Sequence, residues 1–165
     1  SAPEHLFVRY VDPGFKLQNI DPSGRGRYSP DEEYIRRLEI PKHALKNGTY
    51  LRTMSYRELA GYMVADHGGF YYGQYLKDDV LAIALMERGL DRNPQNSVYW
   101  TFLGTRYQHW GAREWMPEVR EIKFIRGLVF VKKGMRMGLG KPASEERKER
   151  KEREERQKIL AKPGV

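Results

Sequence analysis

The sequence predicts an α+β fold, a small antiparallel sheet followed by helices, and three observations predict it. β-branched and aromatic residues crowd the stretch from His5 to Val11, and the turn-forming Asp12-Pro13-Gly14 follows at once. From Ser55 onward the apolar residues recur instead at spacings of three and four. Between Glu145 and Lys158, thirteen of fourteen residues are charged, which leaves that stretch nothing with which to form a core.

The first element reads as a hairpin, with residues 5 to 11 as one strand and Phe15 to Asp21 as its return. Two registers are open. A two-residue Pro13-Gly14 loop pairs residues whose numbers sum to 27, whereas a three-residue loop with Gly14 in the left-handed region pairs residues summing to 26. Only the second sets His5 opposite Asp21. Pro22 to Arg27 reads as an irregular loop, and Ser29-Pro30-Asp31-Glu32 as a helix start with Ser29 as N-cap, the helix running to about Leu38. Pro41 closes or divides that segment, and Gly48 to Thr53 reads as a further strand.

Ser55 opens the helical half, where Leu59, Tyr62 and Met63 define a buried face and Gly68-Gly69 breaks or bends the helix. Asp78 or Asp79 caps the next helix, which carries Ala82, Leu85, Met86, Gly89 and Leu90 and ends at Asn93-Pro94. Another runs from about Asn96 to His109 with Trp100, Leu103, Gly104 and Tyr107 on one stripe, antiparallel to its predecessor. Pro117 opens a further helix in which Val119, Ile122, Ile125 and Leu128 or Val129 recur on a buried side, its outer face being basic. Beyond it, Glu146 with Arg150, Glu149 with Arg153 and Glu152 with Arg156 support a solvated single helix.

Composition excludes several kinds of chemistry. The chain has no cysteine, so disulfides, thiolate metal sites and a thiol nucleophile are excluded within it. His43, His67 and His109 show no metal-ligand spacing, and no metal or cofactor is expected. No apolar run approaches the roughly 20 residues that span a bilayer, so a cytoplasmic protein without membrane contact is expected. The net charge of +8 is uneven: residues 1 to 122 balance, and residues 123 to 141 carry six basic groups and no acidic one. Lys123, Arg126, Lys132, Lys133, Arg136 and Lys141 are therefore the candidate anion-binding residues, with Phe124 and Phe130 interleaved, and nucleic acid is the partner they would suit. The competing reading is a solvated helix face and a linker made flexible by Gly127, Gly134, Gly138 and Gly140.

The sequence His5-Leu6-Phe7-Val8-Arg9, followed by Ile20-Asp21-Pro22-Ser23, resembles the pattern of bacterial transglutaminase-like cysteine peptidases and amidases. The likeness covers roughly residues 2 to 60 and extends, less specifically, through Arg27 to Tyr34 and Gly48 to Arg52. It implies that His5 is the general base and Asp21 the carboxylate that orients it, paired with a cysteine at the start of an upstream helix. An imidazole activates a thiol only when its far nitrogen is held by an acceptor, which explains the arrangement. The nucleophile is the missing member, so catalysis is expected only with an N-terminal segment or partner.

Ala82, Met86, Gly89 and Pro94, then Trp100, Leu103, Gly104, Tyr107 and Gly111, resemble the tetratricopeptide pattern over about 35 residues. Where a small residue is expected next, Met116 stands. The resulting organisation is a transglutaminase-like portion at 1–53, tetratricopeptide-like helices at 54–122, a basic helix and linker at 123–141 and a charged tail at 142–165. Two functions follow as expectations: the C-terminal part of a transglutaminase-like hydrolase or acyltransferase acting on amide bonds, inactive alone; or a non-catalytic interaction protein using its helices and basic segment, in an assembly that contains RNA.

Overall fold

A computed structural model describes residues 6–9, 12, 14, 19–22 and 27–138. Three short strands, β1 (Val8–Arg9), β2 (Asn19–Asp21) and β3 (Arg27–Ser29), form an antiparallel sheet in that order. Mostly helical structure follows, so the α+β class holds. Val8 faces Ile20 and Arg9 faces Asn19, a register summing to 28 rather than 26 or 27. Continued by one residue, it sets residue 7 against Asp21, so the register that would place His5 directly opposite Asp21 is not the one formed. A polar clasp accounts for the choice: the Arg9 side chain donates to Asn19 Oδ1 at 3.2 Å and to Asp31 at 2.6 Å, while Asn19 Nδ2 donates to Asp31 at 2.7 Å and to the Ser29 carbonyl at 3.1 Å. Asn19 is fully buried, and in this register both ends of its amide have partners.

Ser29 belongs to β3 and is buried, so it does not cap the following helix; Pro30 holds the N-cap position of α1 (Asp31–Arg37) without a side-chain bond. Three acids in the first turn and two arginines in the last suit the helix dipole instead. After α2 (Lys42–Lys46) the strand expected over Gly48 to Thr53 is absent. Gly48 and Leu51 adopt φ of 67° and 57°, and the neighbours Tyr50 and Leu51 are both buried, which an alternating strand cannot achieve. These two join Tyr34, Ile40 and Ala44 in the smaller of two cores.

Ser55 caps α3 (Tyr56–Asp66) through a reciprocal capping box with Glu58. The helix does not break at Gly68-Gly69 but widens into a nine-residue π-helix, His67–Tyr75, whose glycines face inward. α4 (Asp79–Leu90) is capped by Asp78, and α5 (Ser97–Ala112) by Asn96. The buried positions of α3 are Gly61 and Ala65, not Met63, which is 59% exposed. A Cβ on Gly61 would stand 2.5 Å from the Gly89 carbonyl oxygen, and one on Gly68 2.7 Å from Leu85 Cβ. The helices approach backbone to backbone, with Ala82, Met86, Leu103 and Tyr107 filling the larger core between them.

α6 (Pro117–Met137) packs antiparallel on α5 and runs unbroken through the 122/123 boundary that composition suggests. Gly127 and Gly134 are contact points rather than flexible joints: a Cβ on Gly127 would lie 2.6 Å from the Gly104 carbonyl oxygen, and Gly134 sits against Ser97 and Thr101. This contact turns the helix over relative to expectation. Its buried residues are Lys123, Gly127 and Gly134, while Ile122 is 64% exposed, Ile125 54%, Leu128 48% and Val129 57%. The C-terminal end docks on the smaller core, where Gly138 meets Ala44 and the Thr49 hydroxyl donates to the Met137 carbonyl at 2.8 Å. Among the described residues no helix is long and apolar enough to cross a membrane.

The capping box is sensitive to acid. A hydrogen bond from Arg52, with further bonds from Ser55, holds the Glu58 carboxyl at about 2, against an ordinary 4.5. A carboxyl depressed in the folded state contributes stability above its ordinary pKa and loses it as pH falls from 4.5 towards 2. Urea unfolding should therefore show that Glu58→Gln removes part of the acid dependence in that window, and that Ser55→Ala costs about 1 kcal/mol at neutral pH.

Candidate functional site

Asp21 ends β2 on the inward face of the sheet and is 5% exposed. The Tyr34 hydroxyl donates to its Oδ2 at 3.4 Å, a long bond, and the Arg37 guanidinium stands 3.8 Å from the same oxygen. Tyr34 is itself clamped, with Phe7 stacked on one side at 4.7 Å between ring centroids and Arg37 over the ring at 5.1 Å. Burial, and then the charge on Asp21, push the Tyr34 hydroxyl up, so it stays a neutral donor. The carboxylate is thus buried at a strand end, with one oxygen facing both Tyr34 and Arg37. His5 lies outside the described residues. Tyr34 falls in the Arg27 to Tyr34 stretch of the resemblance, but Arg37 was missed; its signal is the three-residue spacing that puts it beside Tyr34 on α1.

A cleft of about 320 Å³ runs along β1, walled by Leu6, Val8 and Pro22 on the sheet and by Thr53, Met54 and Leu59 across from it. Its two arginines are engaged, Arg9 with Asp31 and Arg52 with Glu58 at 2.7 Å. Leu6 and Val8 remain 38% and 62% exposed, leaving one side of the sheet apolar and uncovered by described residues.

The basic segment divides. Lys123 is 8% exposed, 2.7 Å from Glu114 and 3.5 Å above the Trp110 ring. Its hydrogen bond lowers the pKa of Glu114. Arg126 lies over Tyr107 at 4.8 Å and pairs with Glu87 at 3.2 Å. Burial, and then the bond to Glu87, raise the Tyr107 hydroxyl to about 12. Lys133 sits 3.4 Å above Trp100. Of these three only Lys123 is buried; Arg126, 54% exposed, and Lys133 lie over the aromatic stripe of α5 while remaining exposed. Lys132 and Arg136 are exposed and have no partner among the described residues, and Lys141 lies outside them.

A second buried charge cluster gave no sign in the sequence beyond a possible cap. Asp79, 4% exposed, pairs with Arg106 at 3.4 Å and with Arg113. Arg106, its pKa lowered by burial, also donates to the Gly73 carbonyl at 2.6 Å and so satisfies the backbone of the π-helix. The cluster ties α4, α5 and the π-helix together and is structural. Among the described residues, no group of three or more His, Asp or Glu is placed to hold a metal.

Removing the Lys133 charge over Trp100 by Lys133→Met should cost about 0.5–1 kcal/mol in urea unfolding followed by tryptophan fluorescence. Lys132→Met, one position along and outward, should leave stability within about 0.5 kcal/mol of the parent.

Compared with known proteins, the chain matches no family model, no curated protein and no solved structure.

Proposed function

We propose that this chain is the C-terminal part of a transglutaminase-like hydrolase or acyltransferase acting on amide bonds. In this reading Asp21 orients the imidazole of His5, and the cysteine is supplied by an N-terminal segment or partner. The single observation behind it is the state of Asp21: a buried carboxylate at the end of a strand, in Asp-Pro-Ser, fixed by Tyr34 and Arg37. A turn aspartate has no need of burial or of two cationic or phenolic supports; an orienting acceptor needs both. The helices are its platform, joined to the sheet module by Tyr50 to Ser97 at 3.0 Å and Arg52 to Asn93 at 3.3 Å.

The interaction-protein reading keeps support from exposed apolar groups on the helices, including Phe70, Tyr71 and Tyr75 around a groove of about 440 Å³. Its RNA-binding form loses Lys123, which is buried against Glu114 and Trp110, while Arg126, Lys132, Lys133 and Arg136 remain exposed.

The histidine pKa decides between the two. In an NMR titration of the chain, with His5→Gln identifying the signal, an adjacent carboxylate stabilises the imidazolium and raises the pKa above the ordinary value of about 6.5. Asp21→Asn should lower it by about one unit. A His5 that titrates at the ordinary value and ignores Asp21→Asn contradicts the catalytic reading.

A further inference from the structure

The outward face of α6 is left uncovered by every described residue, and its composition says what would cover it. Opposite the buried Lys123, Gly127 and Gly134 run Glu118, Ile122, Ile125, Val129, Lys132 and Arg136. Their spacings of four, three, four, three and four are those of a coiled-coil seam. Leu128 and Met135, 48% and 51% exposed, widen the apolar strip on one flank.

The order of residues along the seam is an acid, then three apolar groups, then two bases. Turned end over end about a two-fold axis level with residue 127, the seam complements itself. Glu118 then meets Arg136, Ile125 meets Val129, and Ile122 lies along the aliphatic stem of Lys132. A parallel arrangement would oppose Glu118 to Glu118 and Lys132 to Lys132. Phosphate-bearing partners, whether RNA or an anionic membrane, would meet Glu118 and the flanking Glu121 on the same face. The helix is already ordered by α5, so the seam does not have to supply the cost of folding it, which a short isolated coiled coil must.

We propose that α6 pairs antiparallel with α6 of a second copy of this chain, about a two-fold axis level with residue 127, through Glu118, Ile122, Ile125, Val129, Lys132 and Arg136. The pairing is independent of the catalytic reading of Asp21.

Sedimentation velocity on the 165-residue chain tests it. Between about 1 and about 100 µM the chain should pass from monomer to a species of twice its mass. Glu118→Arg alone and Arg136→Glu alone should each weaken dimerisation about tenfold, because the two-fold axis repeats each substitution in two like-charge contacts. The double variant should recover nearly all of the parent affinity, a rescue that simple damage to the fold does not produce. Ile125→Asp should be monomeric with an unchanged circular dichroism spectrum. Since the chain has no cysteine, Glu118→Cys and Arg136→Cys variants can be mixed and oxidised, and the disulfide should join 118 to 136. A chain that stays monomeric throughout the range overturns the proposal, whether or not its α6 face then binds RNA or anionic vesicles. A double variant no better than the single ones overturns it too, as does a crosslink joining like positions in preference to unlike ones.

Discussion

The contact between Gly104 and Gly127 governs the helical half of this protein. Each glycine holds its partner's carbonyl oxygen where a side chain would otherwise begin, at 2.5 and 2.6 Å from the missing Cβ. Two helices that meet in this way cannot roll about their own axes. With the roll of α6 set, Lys123, Gly127 and Gly134 must face α5, and the isoleucines and valine must face away. The cost of turning Lys123 inward is offset by Glu114 and the face of Trp110; Arg126 and Lys133 find Tyr107 and Trp100 two turns apart. The aromatic stripe of α5 is thus both a core-forming and a cation-binding surface.

The same geometry carries the sheet module. The C-cap of α6, Gly138, lies against Ala44, and the Met137 carbonyl accepts from Thr49, so the roll and length of α6 locate α2 and the turn that follows it. From there Tyr50 reaches Ser97, and Arg52 bridges Asn93 and Glu58. Asp21, Tyr34 and Arg37 are therefore mounted on a module anchored at several points to the helices.

Local chemistry was legible in the sequence; the choice of buried face was not. Ser55, Asp78, Asn96 and Pro117 open helices as their side chains dictate, because a cap depends on residues within one turn. The α6 stripe was misjudged because hydropathy periodicity assumes that the apolar side is the buried one, whereas backbone approach at glycine decides it here. The same cause hid the small-residue face of α3, with Gly61 and Ala65 buried and Met63 outside. The hairpin register was open because it is set by Asn19 and its partners Arg9, Ser29 and Asp31, all of them ten or more residues away. The strand expected at Gly48 to Thr53 failed on the left-handed residues Gly48 and Leu51, and a leucine gives no clue to the second. Asp21 was marked by its motif, but its burial and its support by Arg37 depend on how α1 packs.

The sign of one substitution tests the helix contact most directly. On an open helix face, Gly→Ala stabilises by about 0.5–1 kcal/mol. At Gly104 the added methyl would meet the Gly127 carbonyl oxygen and the Val131 backbone nitrogen, at 2.5 and 2.7 Å. Equilibrium urea unfolding of Gly104→Ala should therefore show a loss of about 1–3 kcal/mol. A neutral or stabilising effect would mean that α5 and α6 do not meet at this point, and with that contact would go the inward placement of Lys123 and the exposure of the α6 apolar face.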